Sequence, residues 1–300
     1  MENKVKIAVI ATMSSGKSTL INYFLGRELM PSKSEACTAK IIKINNNSSS
    51  EFKFRERNDF EEVSLEKLKH INENESVSEV VIEGKINSFK NLNNIQLIDT
   101  PGPNNSQNFN HKEITMKFLQ NNLVDVILLI LDGSKLLTDD EDYLVQKVIE
   151  ETKNKINEKN IIFAVNKSDD FKEEDSIEIV KKSIVDKIKS YGFKNPKIHF
   201  ISAYYAFLNM LNELNYKLTI DQEDELFFIK RKIKRKDFYK ASDLSNEIKR
   251  KILVKEDELN SKDLIKLKSG LTGLELTLVE MINKINDERK KKNNEDKVRV

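Results

Sequence analysis

This sequence predicts an α/β fold with a mainly parallel central sheet flanked by helices, on three observations. Short apolar runs recur along the 300 residues: Val5 to Ile10, Ile95 to Ile98, Val126 to Leu131, Ile161 to Val165 and Ile198 to Ile201. Each is rich in β-branched residues and suits a strand buried on both faces. Segments with helical apolar spacing lie between them, the alternation that right-handed crossovers between parallel strands require. Four of the runs end in loops of small, polar or charged residues, and these loops must gather at the carboxyl edge of the sheet.

The first unit is VKIAVIATMSSGKSTLINYFLG, residues 5–26. Ala11 to Ser15 forms a small, polar loop. Gly16-Lys17-Ser18-Thr19 then opens a helix with Leu20, Ile21, Phe24 and Leu25 at helical spacing, and Gly26 ends it. Such a strand–loop–helix unit is a phosphate cradle, the mark of a P-loop NTPase. Backbone N–H groups across Ser15, Gly16, Lys17, Ser18 and Thr19 and the positive helix end surround the phosphates. Lys17 adds a point charge, and the Ser18 hydroxyl can ligate Mg²⁺. Ala11 stands where this pattern usually starts with Gly, a small perturbation.

Beyond it, Asn45 to Ser50 reads as a polar turn and Glu51 to Arg57 as an edge strand. Leu65 to Ile71 has helical spacing, and Val77 to Ile86 is a further strand. Asp99-Thr100-Pro101-Gly102 follows the next run. A carboxylate there, at the end of a strand parallel to the first, can hold the Mg²⁺ shell through water. The Gly102 N–H can meet a γ-phosphate, so the loop after it can sense that phosphate.

His111 to Asn122 reads as a helix, Val124 to Leu131 as a central strand, and Thr138 to Thr152 as a helix with Thr138 and Glu141 spaced for a capping box. Asn166-Lys167-Ser168-Asp169 then follows Ile161 to Val165. The Asp169 carboxylate can accept from both N1–H and the N2 amino group of guanine. Adenine lacks that donor pair and would leave a buried carboxylate unpaired. Ser176 to Tyr191 is the next helix. Ser202-Ala203, after Ile198 to Ile201, is placed to offer a backbone N–H to guanine O6. In chain order these four loops describe a GTP site.

In the C-terminal third, Tyr204 to Leu218 and Asp224 to Val254 read as charged helices without Pro or Gly. Ser269-Gly270 leads into a helix through Ile285. The start Ser269-Gly270-Leu271-Thr272-Gly273-Leu274-Glu275 resembles that of the last helix in related GTPase domains, which implies that residues 205–268 are a helical insertion within one GTPase domain of residues 1–290; residues 291–300 read as a frayed polar tail.

The motifs MSSGKST, MPSKSEACTAKI (residues 30–41), LIDTPGP (97–103) and NKSD (166–169) resemble those of the bacterial dynamin-like GTPases. EACTAK especially resembles a branch that includes a factor binding the replication sliding clamp. The resemblance implies GTP and GDP as ligands, with Mg²⁺ held by Ser18 and Thr38 and, through water, by Asp99. It makes Thr38 the switch threonine, which also helps orient the attacking water. Ser14 matches the position from which dynamin-like proteins hold a monovalent cation, K⁺ or Na⁺. Asn166 and Asp169 would read guanine, with the Lys167 stem over the ring.

Two departures bear on mechanism. Met13 stands where Gln is often found in eukaryotic dynamins. Pro103 follows Gly102 where small regulatory GTPases have a water-orienting Gln, so an intrinsic Gln mechanism is excluded. Ser14, Lys17, Thr38 and Gly102 are left as the catalytic candidates, completed by a homodimer through the nucleotide face. The competing reading is a nucleotide-gated binding module that recruits a replication, division or membrane partner and hydrolyses GTP slowly. A pseudo-GTPase is a weaker third, resting on Ala11 and Pro103.

The formal net charge of +2 argues against direct nucleic-acid binding. Cys37 is the only cysteine, so no internal disulfide forms, and a cytoplasmic setting, free or peripheral to a membrane, is expected. No signal peptide is expected, because the N-terminus runs straight into the first strand. The longest apolar run is far too short to cross a bilayer. Lys230 to Lys236 suits anionic lipid or an acidic partner, but with Asp221 to Glu225 nearby a solvated helix face is the preferred reading. Without a stalk, the chain is expected to be either a GTPase-domain fragment or a stand-alone GTPase.

Overall fold

The computed structural model describes residues 4–31, 40–56, 59–73, 79–92, 94–102, 109–121, 123–172, 176–256 and 261–298. Thr38, Cys37 and Pro103 lie outside them. Among the described residues one nine-stranded sheet is built from β1 (Val5–Ala11), β2 (Ile41–Asn46), β3 (Lys53–Glu56), β4 (Asp59–Glu62), β5 (Glu79–Gly84), β6 (Ile95–Asp99), β7 (Val126–Asp132), β8 (Ile161–Asn166) and β9 (Lys197–Phe200). Their spatial order is β4-β3-β5-β2-β6-β1-β7-β8-β9. β1 pairs in parallel with β6 and β7, β7 with β8, β8 with β9, and β2 with β5. Antiparallel pairing joins β2 to β6 and β3 to both β4 and β5.

Around β1, β7 and β8 both faces of the sheet are buried, which is why those strands are apolar runs, whereas β5 alternates. Along β1, Val5, Ile7, Val9 and Ala11 face one core. Ala8 and Ile10 face the other. Helices α1 (Lys17–Leu25), α6 (Ala203–Glu213) and α11 (Leu271–Val298) cover the first face through Leu20, Leu208 and Leu278. Helices α3 (Phe109–Asn121), α4 (Asp139–Thr152) and α5 (Ile177–Ser190) cover the second through Phe118, Val148 and Ile184. α2 (Leu65–Glu73) adds Leu68 to the first.

Five expectations are corrected. β3 is not an edge strand, because β4 lies outside it; the sequence DFEE of β4 has little strand character. Thr138 starts α4 but makes no side-chain cap bond. Buried Glu141 instead accepts the Leu137 N–H at 2.9 Å and the Asp132 N–H at 2.6 Å, so it fastens α4 to the end of β7. The segment read as one helix from Asp224 to Val254 is three: α7 (Ile220–Lys234), α8 (Phe238–Ala241) and α9 (Asn246–Glu256), followed by α10 (Ser261–Lys268).

A sheet edge causes that break. The Phe200 N–H donates to Ser242 Oγ at 3.0 Å and the Ile198 N–H to Asp243 Oδ2 at 2.9 Å. The Asp243 N–H returns a bond to Ile198 O at 2.8 Å. The open side of β9 is thus satisfied by the α8–α9 connection, at the expense of a longer helix. The helix expected to reach Leu218 likewise stops at Glu213. Finally, the expected polar tail continues α11 to Val298, with Lys290 to Glu295 mainly in solvent.

Candidate nucleotide-binding site

The loops after β1, β6 and β8 meet at one end of the sheet around a cleft of about 550 Å³. Register brings them there: Val9 lies beside Asp99, and Asp132 beside Asn166. Ser14, Gly16, Lys17, Ser18, Thr19 and Gly102 line one end of the cleft. Asn166, Lys167 and Asp169 line the other. Ser15, Asp99, Ser202 and Ala203 are fully or almost fully buried and form its backing.

Asn166 holds three loops together. Its Nδ2 donates to the Ser15 carbonyl at 2.8 Å, and its Oδ1 accepts the Ala203 N–H at 2.9 Å. Gly16 passes so close that a Cβ there would stand 2.2 Å from Asn166 Nδ2, and its φ of +87° is left-handed. Glycine is required at that position on both counts. Ser14 also has a positive φ, 65°. The Ser15 hydroxyl closes the loop by donating to Thr12 O at 2.7 Å.

The Lys17 ammonium forms an ion pair with Asp99, with side chains 8% and 0% exposed. Two buried charges therefore compensate each other beside the loop from Ser14 through Thr19. Beside Asn166 and Lys167, Asp169 is 8% exposed and accepts from the Ser202 hydroxyl at 2.6 Å. Burial pushes its carboxyl above the ordinary range, although the Ser202 bond works against the shift. Lys167 has a left-handed φ of 58° and donates to Asp132 Oδ2 at 2.7 Å. Burial opposes the ionisation of Asp132, but the bonds from Lys167 and Ser134 outweigh it and keep that carboxyl below its usual value.

Ser202 and Ala203 take other roles than the expected N–H donor. The Ser202 N–H donates to Ser269 O at 3.0 Å, and the Ala203 N–H goes to Asn166. Both serve as braces: Ser202 holds Asp169 and Ala203 holds Asn166. Gly270 completes the bracing with a φ of +82°; a Cβ there would sit 1.9 Å from Phe200 O.

Sequence reading missed the side wall. Tyr204 and, from α7, Glu225, Phe228, Ile229 and Lys232 line the cleft. The Tyr204 hydroxyl donates to Glu225, and Lys232 pairs with Asp170 at 3.2 Å. No motif points to α7, because a helix far along the chain is brought here only by tertiary packing. Asp132 was legible in principle, as a carboxylate ending the central strand.

The donor set fits Mg²⁺, which prefers a few hard oxygens plus substrate phosphates over an all-protein cage. The Ser18 hydroxyl and the Asp99 carboxylate are such oxygens. Among the described residues no group of three or more His, Cys, Asp or Glu could hold a metal alone.

A phosphate loop, a strand-end carboxylate and a braced Asn-Lys-x-Asp loop on one parallel sheet define a P-loop nucleotide-binding protein. The chain belongs to the dynamin family of GTP-binding proteins: the family model matches residues 7–168, a little over half of the chain. No curated protein matches it. Among solved structures, a protein of an oligomerised bacterial dynamin pair, described in long-range sensing and tethering of membranes, is 20% identical. That match has a TM-score of 0.48 and covers 77% of this chain and 37% of that one. The chain therefore spans little more than a third of that relative's length. A structure of the chloroplast translocon components atToc33 and psToc159, for whose GTPase activity dimerization is described as important, is 15% identical with TM-score 0.42, covering 67% of this chain and 70% of that one. Era in complex with MgGDPNP and 16S ribosomal RNA is 18% identical with TM-score 0.38, covering 76% and 57%.

Proposed function

We propose that this protein hydrolyses GTP to GDP and phosphate, using Mg²⁺, and that pairing of two copies through the nucleotide face stimulates it. The observation that carries the reading is the convergence of Lys17, Asn166 and Asp169 on one cleft, with Gly16 fixed between them. In this proposal the dynamin-type GTPase domain spans residues 1–290, with 205–268 as its helical insertion.

Water attacks the γ-phosphorus in line; an O–P bond forms as the bond to the β–γ bridging oxygen breaks, and the leaving electrons stay on GDP. Lys17 exchanges Asp99 for the phosphates and neutralises charge there. The loop from Ser14 through Thr19 supplies N–H donors, and the Gly102 N–H meets the γ-phosphate. Ser18 and Thr38 would hold Mg²⁺, with Asp99 acting through water. When bound, the ion offsets charge on the β- and γ-phosphate oxygens. Ser14 would hold a K⁺ or Na⁺ near the β- and γ-phosphates, and Asp169 would select guanine.

GTP turnover measured against protein concentration, with K⁺, Na⁺ or neither, tests this. A rate per molecule that rises with concentration and with one cation is expected. Size exclusion with GDP and aluminium fluoride should show a dimer, and the ADP equivalent should not. A slow rate indifferent to concentration and cation would favour a nucleotide-gated binding module instead. No binding of GDP at all would remove the site assignment.

A further inference from the structure

We infer that Phe228, on α7, stacks on the base of the bound nucleotide and sets how tightly the site retains it. The inference rests on the nucleotide site proposed above. Phe228 is 59% exposed, yet it lines the cleft, and Phe228, Asp169 and Lys232 border the adjoining hollow as well, which sets the ring beside Asp169. A large aromatic left in solvent at the mouth of a polar cleft gains most when a flat, apolar face covers it.

α7 is anchored at both ends, so the backbone that carries this ring is held in place. Ile233 is fully buried in the second core, and Ile229 packs against the same core. Thr219 and Gln222 form a capping box at the start of the helix. At the far end Lys232 pairs with Asp170, and the Lys236 ammonium donates to the Phe171 carbonyl. Both anchors lie within two residues of Asp169, so the ring and the base-reading carboxylate share one frame. The Tyr204–Glu225 bond fixes the opposite flank.

Phe227, the neighbouring ring, does not line the cleft. It is equally exposed at 58%, lies edge-on to Phe228 at 5.9 Å, and has Arg231 over its face at 5.9 Å. It is an internal control of the same size and exposure. Stacking reads a π-face, not its hydrogen-bonding edge, so loss of Phe228 should weaken guanine and adenine nucleotides by the same factor. The preference between them belongs to Asp169.

The test is GDP affinity by calorimetry. Phe228→Ala should weaken binding by roughly tenfold, while Phe227→Ala stays within twofold of the parent. Both should keep the parent's thermal midpoint, since neither ring is buried. The chain contains no tryptophan, so Phe228→Trp places its one tryptophan, excited apart from the tyrosines, at the cleft. Its fluorescence should be quenched as GDP saturates the site, whereas Phe227→Trp should respond little. If the parent binds GDP but Phe228→Ala binds it equally well and Phe228→Trp is silent, the stacking role is wrong and the site stands. If the parent binds neither GDP nor ADP, the site reading itself has failed.

Discussion

Replacing Lys17 with alanine should destabilise the nucleotide-free protein before any question of catalysis arises. The Lys17 and Asp99 side chains are 8% and 0% exposed, and each neutralises the other. Removing the Lys17 ammonium takes the paired positive charge away from a fully buried carboxylate, a loss on the order of 3–5 kcal/mol, about 3 at its lower bound. For a chain of 300 residues, the unfolding entropy near the midpoint is roughly 0.6 kcal/mol per kelvin. The lower bound therefore corresponds to a fall in Tm of about 5 °C. Scanning calorimetry of nucleotide-free Lys17→Ala against the parent measures it. The double variant Lys17→Met with Asp99→Asn, which removes both charges at nearly constant volume, should recover most of the loss. A single variant melting within a degree of the parent would refute the reasoning, and would mean that the rest of Asp99's surroundings carry its charge without Lys17. The practical corollary is that lost GTP binding in Lys17→Ala must be read beside its folding.

Two further outcomes are expected. Gly16→Ala should lower stability by about 2 kcal/mol, since it forces a side chain into left-handed backbone and displaces Asn166; GDP affinity should fall with it, as urea melts and calorimetry would show. His199 on β9 is fully buried with neither ring nitrogen hydrogen-bonded, and burial lowers its pKa from 6.5 to about 4, with Lys197 and Lys181 assisting and Asp243 opposing. The unfolded chain then binds the extra proton between those values, so stability is full above pH 6.5 and declines as pH falls towards 4. The gap corresponds to about 3 kcal/mol in total, and urea unfolding of His199→Phe over the same range should lose that dependence.

The strands and the phosphate loop were legible because each is specified locally. Val126 to Leu131 can be little other than a buried strand, and Gly16 to Thr19 announces a helix start beside a tight loop. Asp169 was legible from chemistry, as the group able to pair with guanine's two donors. What escaped depends on distant partners. Nothing near Asp237 or Ser242 marks a helix end; the break exists because β9, forty residues earlier, needed acceptors for its N–H groups. Glu141 looked like half of a capping box by spacing alone, but the end of β7 lay within reach and won the carboxylate. Phe228 carries no motif, and its relation to Asp169 arises only when α7 docks.

The treatment of the two flanks of the sheet limits how these molecules can join. On the β9 side the chain has spent its own side chains and backbone on sealing the border, so no foreign strand can be added there. The other border, β4, carries Glu61, paired with Lys67, and Glu62 in solvent, and charged side chains on a short outer strand deter a second copy from zipping onto it. Fibre growth by strand addition is thereby discouraged at both margins. The helical faces and the cleft end are the surfaces left for contact between copies, and there side chains and whatever occupies the pocket would govern it.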